Sequence, residues 1–105
     1  ILGHKIEAVE NGQQLLAKLA TERFDLVITD NSMPVMSGLE ALQIIRDQET
    51  TKNLPVIVYT GDHDEATQNS IENSRGVFVK KGDYAKLESE IKKVVKDKAK
   101  QAQSL

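Results

Sequence analysis

Short apolar runs alternate with stretches of helical periodicity along this chain, and that alternation narrows the folds open to it. Ile6, Ala8 and Val9 form a short strand candidate that ends at Asn11-Gly12; Leu15, Leu16 and Leu19 then fall on one helical face. Phe24 to Ile28 is an apolar run broken only by Asp25, short enough to be a strand buried on both faces. Ser37-x-x-Glu40 reads as a capping box that opens a helix with Leu39, Leu42 and Ile45 on one side. "PVIVYT", residues 55 to 60, is a third strand, with Pro55 at its start, where a missing N–H does least harm. A more polar helix follows from Glu65 to Asn73, capped by Asp64. "VFV", residues 77 to 79, is the fourth strand, and Asp83 caps a final helix carrying Leu87, Ile91, Val94 and Val95 inward. Its extension within "KDKAKQAQSL" (residues 96–105) reads as a solvated or frayed polar tail over residues 97–105.

Four alternations with crossovers of about 10–15 residues predict an α/β fold: a parallel sheet with helices on both faces. The 105 residues suffice for one domain with one modest core. A formal net charge of −2 leaves no basic footprint, which argues against direct nucleic-acid binding. No apolar run reaches membrane-spanning length and no signal peptide is visible, so no membrane insertion is expected. The chain has no cysteine, which excludes disulfides and thiolate metal sites and fits a reducing compartment.

Three of the strands end on functional groups: Asp30, Thr60 and the pair Lys80-Lys81. Parallel strands place their carboxyl ends on one edge of the sheet, so these groups can converge. A carboxylate, a hydroxyl and an ammonium together suit phosphoryl chemistry, with the carboxylate as nucleophile and the other two stabilising charge on the transferred oxygens. Such chemistry normally needs a divalent cation as well, to offset repulsion between carboxylate and phosphate. Taken singly, these are a turn Asp, a strand Thr and two surface lysines, each of them common.

The stretches "ILGHKIEAVENGQQLL", "DLVITDNSMPVMSGLEAL", "PVIVYTG" and "FVKKGDYAKLE" resemble a two-component response-regulator receiver domain, similar in fold to the chemotaxis regulator. The resemblance reaches to about residue 96 and is most specific at Asp30-x-x-Met33-Pro34-x-x-x-Gly38 joined to the later Thr60 and lysine. It implies a flavodoxin-like doubly wound parallel sheet of strand order 2-1-3-4-5. It also implies that Asp30 is the phospho-acceptor, supplied by a histidine kinase or phosphotransfer domain in the cytoplasm. Ser32 would offer its backbone carbonyl to Mg²⁺ alongside Asp30, and Met33, Pro34 and Gly38 would shape the loop. Thr60 would be the hydroxyl that moves toward the phosphoryl group, and Phe78 the switch aromatic that turns inward with it. The segment from Asp62 to Phe78, with the final helix, would then be the readout surface for an output domain or target. Such a domain is a regulator that accepts a phosphoryl group and is not itself an enzyme.

Two departures bear on the site. The family follows its lysine with proline, whereas here Gly82 follows Lys81; aligning Phe78-x-x-Lys81 with the family's aromatic-x-x-Lys makes Lys81 the site lysine in preference to Lys80. The acidic pair that supplies most of the family's Mg²⁺ carboxylates stands at the end of its first strand and has no counterpart here. Glu7 and Glu10 lie in the wrong strand, so weak or absent Mg²⁺ binding is expected. On this alignment Ile1-Leu2-Gly3 is the tail of the first helix, and the first strand, central in the sheet, is missing. A sheet with that gap would expose unpaired edges at "KIEAV" and "FDLVIT", so the expectation is an upstream extension or a homodimer that fills the gap by domain swapping.

Two other functions compete. A pseudo-receiver would share the fold and bind a partner without phosphorylation; the missing acidic pair favours it, and the presence of Asp30, Thr60 and Lys81 opposes it. A haloacid-dehalogenase-like phosphatase also uses a strand-end Asp, a Thr or Ser and a lysine. It requires a general acid two residues after the nucleophile, where this chain has Ser32.

Overall fold

A computed structural model describes residues 11–31, 36–61 and 64–103 of the chain, with side chains as far as residue 96. The elements follow in the order α1 (Gly12–Thr21), β1 (Val27–Thr29), α2 (Gly38–Asp47), β2 (Val56–Thr60), α3 (Glu65–Asn73), β3 (Val77–Lys80) and α4 (Tyr84–Gln103). The strand expected around Ile6 to Val9 lies outside the described residues, as do Glu7, Glu10, Ser32, Met33, Pro34 and Asp62.

Polar side chains start the helices by taking up backbone N–H groups that the first turn leaves without partners. The Asn11 side chain accepts from the Gln14 amide at 2.9 Å, and Asp64 accepts from the Thr67 amide at 2.8 Å. Asp83 accepts from the Lys86 amide at 3.1 Å. Ser37 and Glu40 close both halves of a capping box around the first turn of α2.

The three described strands form a parallel sheet in the order β1-β2-β3, the last three positions of the expected 2-1-3-4-5 order. Val27 pairs with Val56, Val58 with Phe78, and Thr60 with Lys80. Alternation along the strands then divides the side chains between two faces. Val27, Val56, Val58 and Phe78 join Leu15, Ala41, Leu42, Ile45 and Ile71 in one core cluster, which seats α1, α2 and α3. Ile57 and Val79 are buried on the opposite face, the side on which the ring of Tyr59 meets Tyr84 of α4. Helices therefore cover both faces. Leu42 is wholly buried, and truncating such a side chain to alanine costs about 2–5 kcal/mol.

One reading of the sequence needs correction. The apolar run from Phe24 yields a strand only over Val27–Thr29, and Ile28 is 44% exposed, so that strand is not buried on both faces. Alternation turns Ile28 toward the α4 side of the sheet, where α4 packs against β3, two strands away. For the same reason Leu87, Ile91, Val94 and Val95 of α4 face inward but are only half-buried. The polar extension of α4 continues as helix to Gln103. No described helix is long and apolar enough to cross a membrane.

At the amino-terminal edge of the sheet, Arg46 holds the turns that lead into β2 and β3. Its guanidinium donates to the carbonyls of Leu54 at 2.7 Å, Ser74 at 3.0 Å and Arg75 at 3.0 Å. Arg75 has a φ of 61°, a left-handed conformation uncommon for a residue with a Cβ. Thr51 is buried beside this knot and donates its hydroxyl to the Ile45 carbonyl at 2.7 Å.

Candidate functional site at the carboxyl edge of the sheet

β1 ends at Thr29, and Asp30 follows at the carboxyl edge, its side chain 25% exposed. The next residue folds the chain back onto α2: the Asn31 side chain accepts from the Leu39 amide at 3.0 Å, and its carbonyl accepts from the Gly38 amide at 3.3 Å. This return brings the start of α2 against the Asp30 backbone so closely that a Cβ at Gly38 would collide with the Asp30 carbonyl. Glycine at 38 is thus a condition for the position of Asp30.

β2 ends at Thr60, which is fully buried. Its carbonyl accepts the Lys81 amide at 2.9 Å, which draws the first residue beyond β3 toward the end of β2. Of the two adjacent lysines, Lys80 is still within β3, is exposed, and stands in register with Thr60. Lys81 lies in the following turn, and its Nζ is 2.5 Å from Asp30 Oδ2. With a side chain 52% exposed, this ion pair is worth at most about 1 kcal/mol of stability. Its chemical consequence is larger, because it keeps a positive charge where negative charge would develop on a group attached to Asp30. Phe78 is 6% exposed and belongs to the core cluster, in register with Val58.

Asp30 and Lys81 are therefore in direct contact and Thr60 is tied to Lys81 through the backbone, while Ser32 lies outside the described residues. Two participants were missed in the sequence. Asn31 carried a usable signal, since an Asn directly after a strand end favours side-chain-to-backbone bonding in a turn. Tyr59 carried none, being one more β-former in a strand. Its hydroxyl accepts the Gly82 amide at 3.0 Å.

For a Mg²⁺ ion, the described residues fall short. No group of three His, Cys, Asp or Glu side chains capable of holding a metal occurs among them, and the Asp30 carboxylate already faces Lys81. A hard divalent cation takes several oxygen ligands in near-octahedral array, which Asp30 alone does not furnish.

The family model for the response regulator receiver domain matches residues 1–92. The CAI-1 autoinducer sensor kinase/phosphatase CqsS of Vibrio cholerae is 36% identical over 73 residues, which is 69% of this chain and 11% of that protein. The chemotaxis protein CheY of Pseudomonas aeruginosa is 30% identical over 87 residues, or 81% of this chain and 70% of that protein. Among solved structures, the response regulator protein TrrA of Thermotoga maritima, in complex with Mg²⁺-BeF, superposes with a TM-score of 0.73 at 32% identity. The match covers 88% of this chain and 78% of that one. The chain belongs to the response regulator receiver domain family.

Proposed function

We propose that this domain is a phosphorylation-dependent signalling switch in which Asp30 accepts a phosphoryl group from the phosphohistidine of a histidine kinase or phosphotransfer domain. A carboxylate oxygen of Asp30 attacks phosphorus, and the phosphorus–nitrogen bond breaks. The bonding pair stays with the imidazole, which leaves neutral when its other nitrogen carries a proton. The product is an acyl phosphate on Asp30. The observation that carries this reading is the Lys81 ammonium held on the Asp30 carboxylate beside the end of the Thr60 strand. Lys81 and the Thr60 hydroxyl stabilise the added charge, and their movement toward it selects one of two packings of the domain. Phe78 takes part as the aromatic that accompanies Thr60, and α3 with α4 forms the surface that a target or output domain reads.

Receiver domains bind Mg²⁺ at an acidic pocket, and the related Thermotoga structure holds Mg²⁺ with BeF. Here Asp30 and the Ser32 carbonyl are the ligands we assign, and the described residues hold no group of three acidic, histidine or cysteine side chains that would complete them. The domain acts in the cytoplasm as a phospho-accepting regulator and carries out no turnover of its own beyond gain and slow loss of that phosphoryl group. No direct contact with nucleic acid enters the reading.

Incubation with Mg²⁺ and acetyl phosphate, followed by intact mass, tests the reading. The protein gains the mass of one phosphoryl group, and the Asp30→Asn variant, which keeps the shape but loses the nucleophilic carboxylate, gains none. Equal uptake by both would refute the assignment of Asp30. Uptake by neither would mean an interaction module that works without phosphorylation.

A further inference from the structure

The turn that carries Lys81 is open and is built on a glycine. The Asp83 amide donates to the Lys80 carbonyl at 3.0 Å, and Gly82 has a φ of 97°. These are the marks of a type II turn, whose third position calls for positive φ. Nothing lies within 4 Å of where a Gly82 Cβ would be, so no side-chain packing holds this point of the chain. Glycine also has access to more backbone conformations than any other residue. Yet the ammonium of Lys81 must stay within hydrogen-bonding reach of Asp30, and a shift of about 1 Å in a positioned group is enough to cost activity.

Hydrogen bonds to β2 meet that requirement. The peptide N–H before the Lys81 side chain, its own, donates to the Thr60 carbonyl at 2.9 Å. The N–H after it, that of Gly82, donates to the Tyr59 hydroxyl at 3.0 Å. The peptide groups on either side of Lys81 are thus fastened to two consecutive residues of one strand. The Tyr59 ring is itself steadied against Tyr84 at the start of α4, with centroids 6.4 Å apart and planes tilted by 44°. A proline at position 82 would have no N–H to donate, so this second tie requires a residue other than proline there, and Gly82 supplies its N–H.

We infer that Tyr59 is a positioning residue: its hydroxyl fixes the Lys81–Gly82 peptide and thereby holds the Lys81 ammonium on Asp30. The inference rests on the phospho-acceptor reading for its consequence, but not for its geometry. Tyr59→Phe keeps the ring and its contact with Tyr84 and removes only the acceptor. One readout needs no phosphoryl donor: the ¹³C resonance of the Asp30 carboxylate, identified by its loss in Asp30→Asn. This resonance should shift in Lys81→Ala, and in Tyr59→Phe it should move part of the way in the same direction. The second readout is the rate of phosphorylation by acetyl phosphate, which should fall about fivefold in Tyr59→Phe, the worth of one hydrogen bond. On a Lys81→Ala background the same change should have no further effect, because the group it positions is gone. An unmoved resonance with an unchanged rate overturns the inference, and so does an equal loss of rate with and without Lys81. Should the parent protein take up no phosphoryl group at all, the phospho-acceptor reading fails, and the resonance alone still decides whether Tyr59 acts through Lys81.

Discussion

Asp30 and Lys81 leave strands that are not neighbours, since β2 lies between β1 and β3. Their contact therefore crosses the end of β2, above Thr60. In the sequence, Lys80 and Lys81 are hard to tell apart, because strand alternation would send them to opposite faces without saying which face matters. The structure separates them by ending β3 at Lys80, so that Lys81 escapes the pleat and takes its direction from the turn. Lys81→Ala should slow phosphorylation at least about fivefold and uncouple what remains of it from the conformational change, because the charge that would contact the phosphoryl oxygens is lost. Lys80→Ala, at an exposed position with no contact to Asp30 described, should leave both within about twofold of the parent. Comparison of phosphorylation rate with amide chemical-shift changes in the two variants checks this. Comparable damage from both would overturn the distinction.

At the scale of elements, helix starts were the most legible feature, because a cap is a local device in which a few neighbouring residues carry the whole signal. Ser37-x-x-Glu40 forms both of its hydrogen bonds, and the helix expected from Glu65 to Asn73 spans those residues. Strand length was less legible. Phe24 and Leu26 look as strand-like as Val27, but pairing with β2 begins only at Val27, and a partner strand is not encoded locally. The cap of α3 also gives a dependence on pH. Hydrogen bonds from the Thr67 amide and hydroxyl hold the Asp64 carboxyl below its ordinary value of 3.8. A carboxyl lowered on folding contributes stability above its unfolded value, and that contribution is lost as pH falls through the folded value. The amino-terminal turn of α3 should therefore loosen below about pH 4, seen as faster hydrogen exchange at Thr67, while Asp64→Asn exchanges at a rate that follows the intrinsic pH trend alone. An identical acid response in both proteins would rule the cap out as its source.

Across the whole molecule the two edges of the sheet differ in kind. The carboxyl edge carries Asp30, Thr60 and Lys81, and the amino edge is laced by Arg46 through the carbonyls that precede β2 and β3. The sequence offered no hint of this knot, since Arg46 reads as an ordinary basic residue in the last turn of a helix and its partners lie up to 29 residues away. Arg46→Ala should lower stability by about 2 kcal/mol, because several carbonyls lose a charged donor. The rate of phosphorylation of the folded protein should not change, and urea unfolding beside a phosphorylation time course measures the two separately. A change in rate with no change in stability would mean that the two edges are not independent. On the proposed function the knot would also bear on how a small event at the carboxyl edge is expressed. Arg46 grips the Ser74 and Arg75 carbonyls at the carboxyl end of α3, while the amino end follows closely on Thr60 and only Ile71 of this helix is buried. Were a rod of that length, about 13 Å, to tilt by about 10° about its Arg46-held end, its far tip would move about 2 Å. On the proposed function α3 would work as a lever, turning a displacement no larger than a hydroxyl group beside Asp30 into a shift that a partner protein could feel.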